Sequence, residues 1–105
     1  MFVAFDVQYV DSCSRASAAA VLFSDWNSIA PTDEVLVTVA DVRPYVPGSF
    51  YLRELPCLLA ALQAVKRRHG LPTLLFVDGY VNLEPGHPGL GRRLYDAVGI
   101  PVVGV

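Results

Sequence analysis

The feature that most restricts the fold is a change of hydrophobic period near Arg43. Before it, apolar and small residues fall into short runs of β type. After it, Leu52, Leu55, Leu58, Leu59, Leu62 and Val65 recur every three or four residues, which draws one apolar stripe along a helix. Thr73-Leu-Leu-Phe-Val77 follows as an unbroken apolar run, the pattern of a strand covered on both faces. A chain that makes strands, then one long helix, then a buried strand returns to its own sheet by a right-handed crossover.

The remaining elements follow from local signals. Residues 2–7 alternate and are rich in β formers, so they read as a strand ending near Asp6. Residues 15–23 also suit a helix by their alanines, and their place between two strand signals decides for a strand. Residues 25–33 carry Asn, Ser, Pro and Asp and make a turn. Residues 34–40, EVLVTVA, are the clearest strand by β-branched content. In the helix after Arg43, Pro56 is expected in the first turn, where its missing N–H costs nothing. Gly70 and Pro72 end that helix after a basic last turn of Lys66, Arg67 and Arg68. A Gly/Pro-rich loop, a helix over residues 90–98 and a strand over residues 101–105 complete the chain. The order β-β-β-α-β-α-β predicts an α/β domain of RNase H-like layout, with a mixed five-stranded sheet in the order 3-2-1-4-5 and helices packed on it.

At 105 residues the chain is one domain, residues 1–105, able to bury a real core. With 53% apolar and 17% charged residues it is not disordered. Its mean hydropathy of +0.43 is high for such a length. Either both sheet faces are buried or apolar surface meets a partner, a second copy or another chain. No run is long enough to span a bilayer and no basic leader is present, so a cytoplasmic protein without a membrane is expected. Cys13 and Cys57 follow no metal-ligand spacing and read as core or incidental thiols. A net charge of −2 argues against holding nucleic acid by bulk electrostatics, but bound divalent ions would reverse the local sign. The basic clusters at Lys66–Arg68 and Arg92–Arg93 suit solvated helix faces as well as phosphate contacts.

The chemistry concentrates in three acids. Asp6 and Asp78 are expected at the C-terminal ends of adjacent parallel strands, about 5 Å apart, at the edge where open α/β sheets bind ligands. Two carboxylates there repel unless a cation sits between them, and hard oxygen ligands suit Mg²⁺ or Mn²⁺. Glu54, near the start of the long helix, can reach over the same edge. Singly, Asp78 before Gly79 reads as a turn residue, and Glu54 as an acid favoured by the helix dipole. Together the three suit metal-assisted phosphodiester hydrolysis.

The segment Arg43-Pro-Tyr-Val-Pro-Gly-Ser-Phe-Tyr-Leu-Arg-Glu-Leu-Pro-Cys-Leu-Leu-Ala-Ala closely resembles the endonuclease V motif PYxPGxLxxRExPxLL. Leu75-Phe-Val-Asp-Gly79 resembles the family's xFVDG strand, Ala4-Phe-Asp-Val7 its first-strand xxDV, and Ile100-Pro-Val-Val-Gly-Val105 the strand leading to its Ala-Lys motif. The resemblance runs in order along the whole chain, and the middle motif is the specific one. It implies an RNase H-like fold and Mg²⁺- or Mn²⁺-dependent cleavage near deoxyinosine in DNA or inosine in RNA. It implies that Asp6, Glu54 and Asp78 are catalytic and bind the metal, and that Tyr45 is the aromatic wedge at the lesion. Pro47, Gly48, Arg53, Gly79 and His87 are implied on the nucleic-acid side.

The chain also departs from the family pattern. Tyr80-Val-Asn-Leu-Glu-Pro-Gly-His-Pro separates Asp78 from His87-Pro88, and Val81 stands where the family has a second glycine. The family's lysine, its N-terminal helix and its C-terminal part are expected to be missing. Three readings follow: a compact metal-dependent nuclease, a degenerate homologue that binds nucleic acid or a protein without cleavage, and a structural half that pairs with another chain.

Overall fold

The computed structural model describes every residue from Met1 to Val105 except Tyr45, Gly48, Ser49, Tyr80, Val81, Pro85 and Gly86. Strand β1 (Phe2–Val10) turns through Asp11–Cys13 into β2 (Arg15–Phe23), and β3 (Asp33–Val39) completes an antiparallel meander. Helix α1 (Phe50–His69) crosses back to β4 (Leu74–Val77). A short hairpin, β5 (Asn82–Glu84) and β6 (His87–Pro88), precedes helix α2 (Leu90–Val98) and β7 (Val102–Gly104). The main sheet runs β3-β2-β1-β4-β7, with β4 parallel to both β1 and β7. This is the expected order 3-2-1-4-5. The hairpin inside the Gly/Pro-rich loop is additional.

The two crossovers place both helices on one face. Val3 and Phe5 of β1, Ala16, Ala18, Ala20 and Leu22 of β2, and Leu75 and Val77 of β4 point into the core. They meet Cys57, Leu58, Ala61, Leu62 and Val65 of α1 and Leu90 and Leu94 of α2. The alanines of β2 are what make this possible, because small side chains let α1 lie close to the strand. Residues of the other parity, such as Phe2, Ala4 and Phe76, are only partly buried. Among the described residues no helix covers that face, so the unbroken run of β4 is not buried on both sides as its composition predicts. There Trp26 packs edge-on to Phe2 and Phe76, with ring centroids 5.0 and 5.3 Å away, beside a cleft of about 350 Å³.

Helix α1 differs from expectation in two ways. It begins at Phe50, so Pro56 lies in its interior and Glu54 lies beyond the first turn. An interior proline leaves a carbonyl one turn back without its N–H partner, and packing of the apolar face carries the helix through it. The buried stripe is also rotated. Leu52 is exposed, while Arg53, Glu54 and Cys57 turn inward. The helix ends as predicted, with Gly70 at φ +87° donating its N–H to the Lys66 carbonyl at 3.0 Å. Cys57 is buried and Cys13 exposed. No helix among the described residues is long and apolar enough to cross a membrane.

Candidate metal centre

The site forms where β1 outruns β4. The parallel register pairs Phe2 with Leu74, Val3 with Leu75 and Ala4 with Phe76, and the same offset carried two residues further sets Asp6 opposite Asp78. The predicted adjacency of the two strands, β1 beside and parallel to β4, holds. One detail does not: Asp6 lies in the middle of β1 rather than at its end. Gln8, Tyr9 and Val10 continue as strand because β2 still pairs with them, at Ser17, Ala16 and Arg15. Past Val77 no strand among the described residues pairs with that edge of β1, and Asp6 and Asp78 are both exposed along the notch so formed. Asp6 Oδ1 accepts the N–H of Val7 at 3.0 Å. Asp33 and Asp96 carry ion pairs elsewhere in the fold.

Glu54 approaches the same notch from α1 and is 8% exposed. Burial pushes its carboxyl above the usual carboxylate range, and the charges of Asp6 and Asp78 push it further. The Tyr9 hydroxyl, which donates to Glu54 Oε2, and the Arg53 guanidinium work in the opposite direction. Tyr9 itself is held above its ordinary value, first by burial and then by that hydrogen bond, so the phenol stays protonated and remains the donor. Arg53 lies over the Tyr9 ring, 3.6 Å from guanidinium carbon to centroid. It is buried at 8% exposure. The inward rotation of α1 is the cause.

The three acids thus gather at one sheet edge and feel one another, but they do not form a closed cage. Among the described residues no group of three His, Cys, Asp or Glu side chains is drawn tightly enough to hold an ion as it stands. One oxygen of Glu54 is occupied by Tyr9. The donor set is nevertheless all carboxylate oxygen, and its mutual repulsion is the kind that a hard divalent cation relieves. The residues fit such an ion on those grounds.

The other expected residues divide. Tyr45, Gly48 and the His87 side chain lie outside the described residues, and Pro47 is exposed. Gly79 packs against the start of α2, where an added Cβ would meet Leu90 Cβ at 2.9 Å. The basic pair on α2 also divides: Arg92 bonds Asp96 at 2.9 Å and Arg93 stacks 3.6 Å from the Tyr51 ring centroid. Tyr9 is the residue that sequence reading missed. Its signal was parity. Lying three residues after Asp6, it points to the opposite face, toward the helix that carries Glu54.

Comparison with known proteins shows the family and the fold. The family model for endonuclease V matches residues 1–105. The endonuclease V of Xanthomonas oryzae is 34% identical over all of this chain and 43% of its own length. The crystal structure of endonuclease V from Streptomyces avermitilis superposes with a TM-score of 0.77 at 34% identity, over 98% of this chain and 43% of that one. The Ciona intestinalis enzyme superposes at a TM-score of 0.84 over 98% of this chain and 44% of that one. Its 20% identity speaks for the fold alone. The chain therefore spans a little under half the length of the relatives it matches. Matched by the family model from its first residue to its last, the chain belongs to the endonuclease V family.

Proposed function

We propose that this chain carries the metal-binding carboxylates of a divalent-metal-dependent endonuclease that hydrolyses a phosphodiester near deoxyinosine or inosine. The observation that carries the reading is the β1–β4 register, which carried two residues on sets Asp6 opposite Asp78, beside a Glu54 whose carboxyl is raised by burial and by the charges of both. Bound Mg²⁺ or Mn²⁺ would supply activation of water and stabilisation of the leaving oxygen. Asp6, Asp78 and Glu54 would hold it, and the exposed notch leaves a phosphate room to approach.

Tyr45, Pro47, Gly48, Gly79 and His87 would lie along the nucleic acid, with Tyr45 stacking on bases. Inosine as the recognised base is supported by family membership, and the Ciona protein was crystallised with a DNA containing an inosine. The open aromatic face around Trp26 is where a second copy or a partner chain would pack. A second reading, binding without cleavage, draws on the absence of a closed cage among the described residues.

The test is a cleavage assay with Mg²⁺ or Mn²⁺ on end-labelled DNA and RNA, each with one inosine, beside Asp78→Ala. Metal-dependent cleavage that Asp78→Ala abolishes is expected. No cleavage by the intact chain, or equal cleavage by the variant, overturns the catalytic reading, and binding without cleavage favours the second.

A further inference from the structure

The geometry points to Tyr9 as a positioning residue for Glu54, an inference that rests on the proposed metal centre. Three observations meet at this side chain. Tyr9 stands on the part of β1 that extends past β4, and its parity aims it at α1 rather than at the open face. Its hydroxyl donates to Glu54 Oε2. Its ring is covered by the Arg53 guanidinium, 3.6 Å from the centroid. Arg53 precedes Glu54 on the same helix, so the ring and the carboxylate it serves are fixed from one backbone segment.

A glutamate has three side-chain torsions, and an acid repelled by two neighbouring carboxylates swings away unless something holds it. The Tyr9 hydroxyl supplies that hold. It occupies Oε2 and leaves Oε1 as the oxygen available to a cation shared with Asp6 and Asp78. An outer hydrogen bond to the second oxygen of a ligating carboxylate fixes its orientation, and loss of such a partner typically costs about 10–100-fold in metal affinity. The Arg53 stack completes the device, because a ring clamped on its face cannot turn its hydroxyl elsewhere.

The experiment is Mn²⁺ titration by calorimetry on the intact chain, its Tyr9→Phe, Glu54→Gln and Asp78→Asn variants, and the Tyr9→Phe/Glu54→Gln double variant. Metal-free melting temperature is followed in parallel. Tyr9→Phe keeps the ring and its stack and removes only the donor. It is expected to weaken Mn²⁺ binding about tenfold, and to change affinity no further when Glu54 is already Gln. A merely structural role would move the melting temperature and would weaken binding equally in both backgrounds. Unchanged or tighter Mn²⁺ binding by Tyr9→Phe overturns the inference, as does an equal effect in the double variant. If Glu54→Gln and Asp78→Asn weaken binding while Tyr9→Phe does not, the inference alone fails. If neither acid variant weakens it, or the intact chain takes no Mn²⁺, the metal centre fails and the inference with it.

Discussion

Replacing Gly79 by alanine tests how tightly the acidic edge is built. The glycine follows Asp78 and is not among those with positive φ, so its role is steric rather than conformational. An alanine Cβ there would stand 2.9 Å from Leu90 Cβ, 3.1 Å from its Cδ2 and 3.5 Å from its Cγ. The nearest of these is fixed to the backbone of α2 and cannot rotate aside, and Leu90 is itself buried. Either the end of β4 or the start of α2 must shift. Overpacking of this kind costs about 1–3 kcal/mol, which for a domain of this size lowers the melting temperature by roughly 5–20 °C. Urea unfolding of Gly79→Ala, Leu90→Ala and the double variant measures it. Because Leu90→Ala keeps the Cβ in the closest contact, it should recover only the part due to Cγ and Cδ2. The displacement also moves Asp78 relative to Asp6, so Mn²⁺ affinity should fall in step. A Gly79→Ala variant with unaltered unfolding free energy, or one restored fully by Leu90→Ala, would show that Gly79 and Leu90 are not in tight contact.

Glu54 has a raised folded pKa, so its contribution is fully present below the unfolded value and is lost as pH rises through the folded one. In EDTA, Glu54→Gln should melt above the parent chain by a margin that grows from pH 4 to pH 8; a constant margin would contradict this. Asp33 is the opposite case, held low first by its hydrogen bond to His69 at 2.7 Å, with Arg68 also nearby at 3.5 Å. Its stabilising effect is present above the unfolded value and lost as pH falls. The melting deficit of Asp33→Asn at pH 7 should therefore shrink toward pH 3. Leu62→Ala, at a site 1% exposed under the sheet, should cost about 2–5 kcal/mol in urea unfolding. Leu36→Ala on the open face, at 70% exposure, should stay within about 0.5 kcal/mol.

The strand order was legible because one rule, the right-handed crossover, acts on a pattern that the hydrophobic periods make plain. The bounds of α2 were legible for a local reason: Leu90 to Val98 carries the stripe, and Gly99 supplies the left-handed cap, its N–H on the Tyr95 carbonyl at 2.8 Å. What sequence could not give was set by distant contacts. Strand β1 runs on past Asp6 because β2 continues to pair with it. Helix α1 begins ahead of Pro56 and turns Arg53 and Glu54 inward because β1 offers Tyr9 to meet them. The composition of β4 implied two covered faces, whereas its second face carries an aromatic cluster around the exposed Trp26. For the site, residue types and register were readable. The engagement of Glu54 by Tyr9 was not, because it depends on a rotation of α1 that no local signal encodes.

Asp6, Glu54 and Asp78 are proposed to share one divalent ion. Anomalous diffraction from crystals of the intact chain grown with Mn²⁺ tests it most directly. A peak is expected between the carboxylates of Asp6 and Asp78, with Glu54 as a further ligand. A crystal with Mn²⁺ bound only elsewhere, or with none, would contradict it.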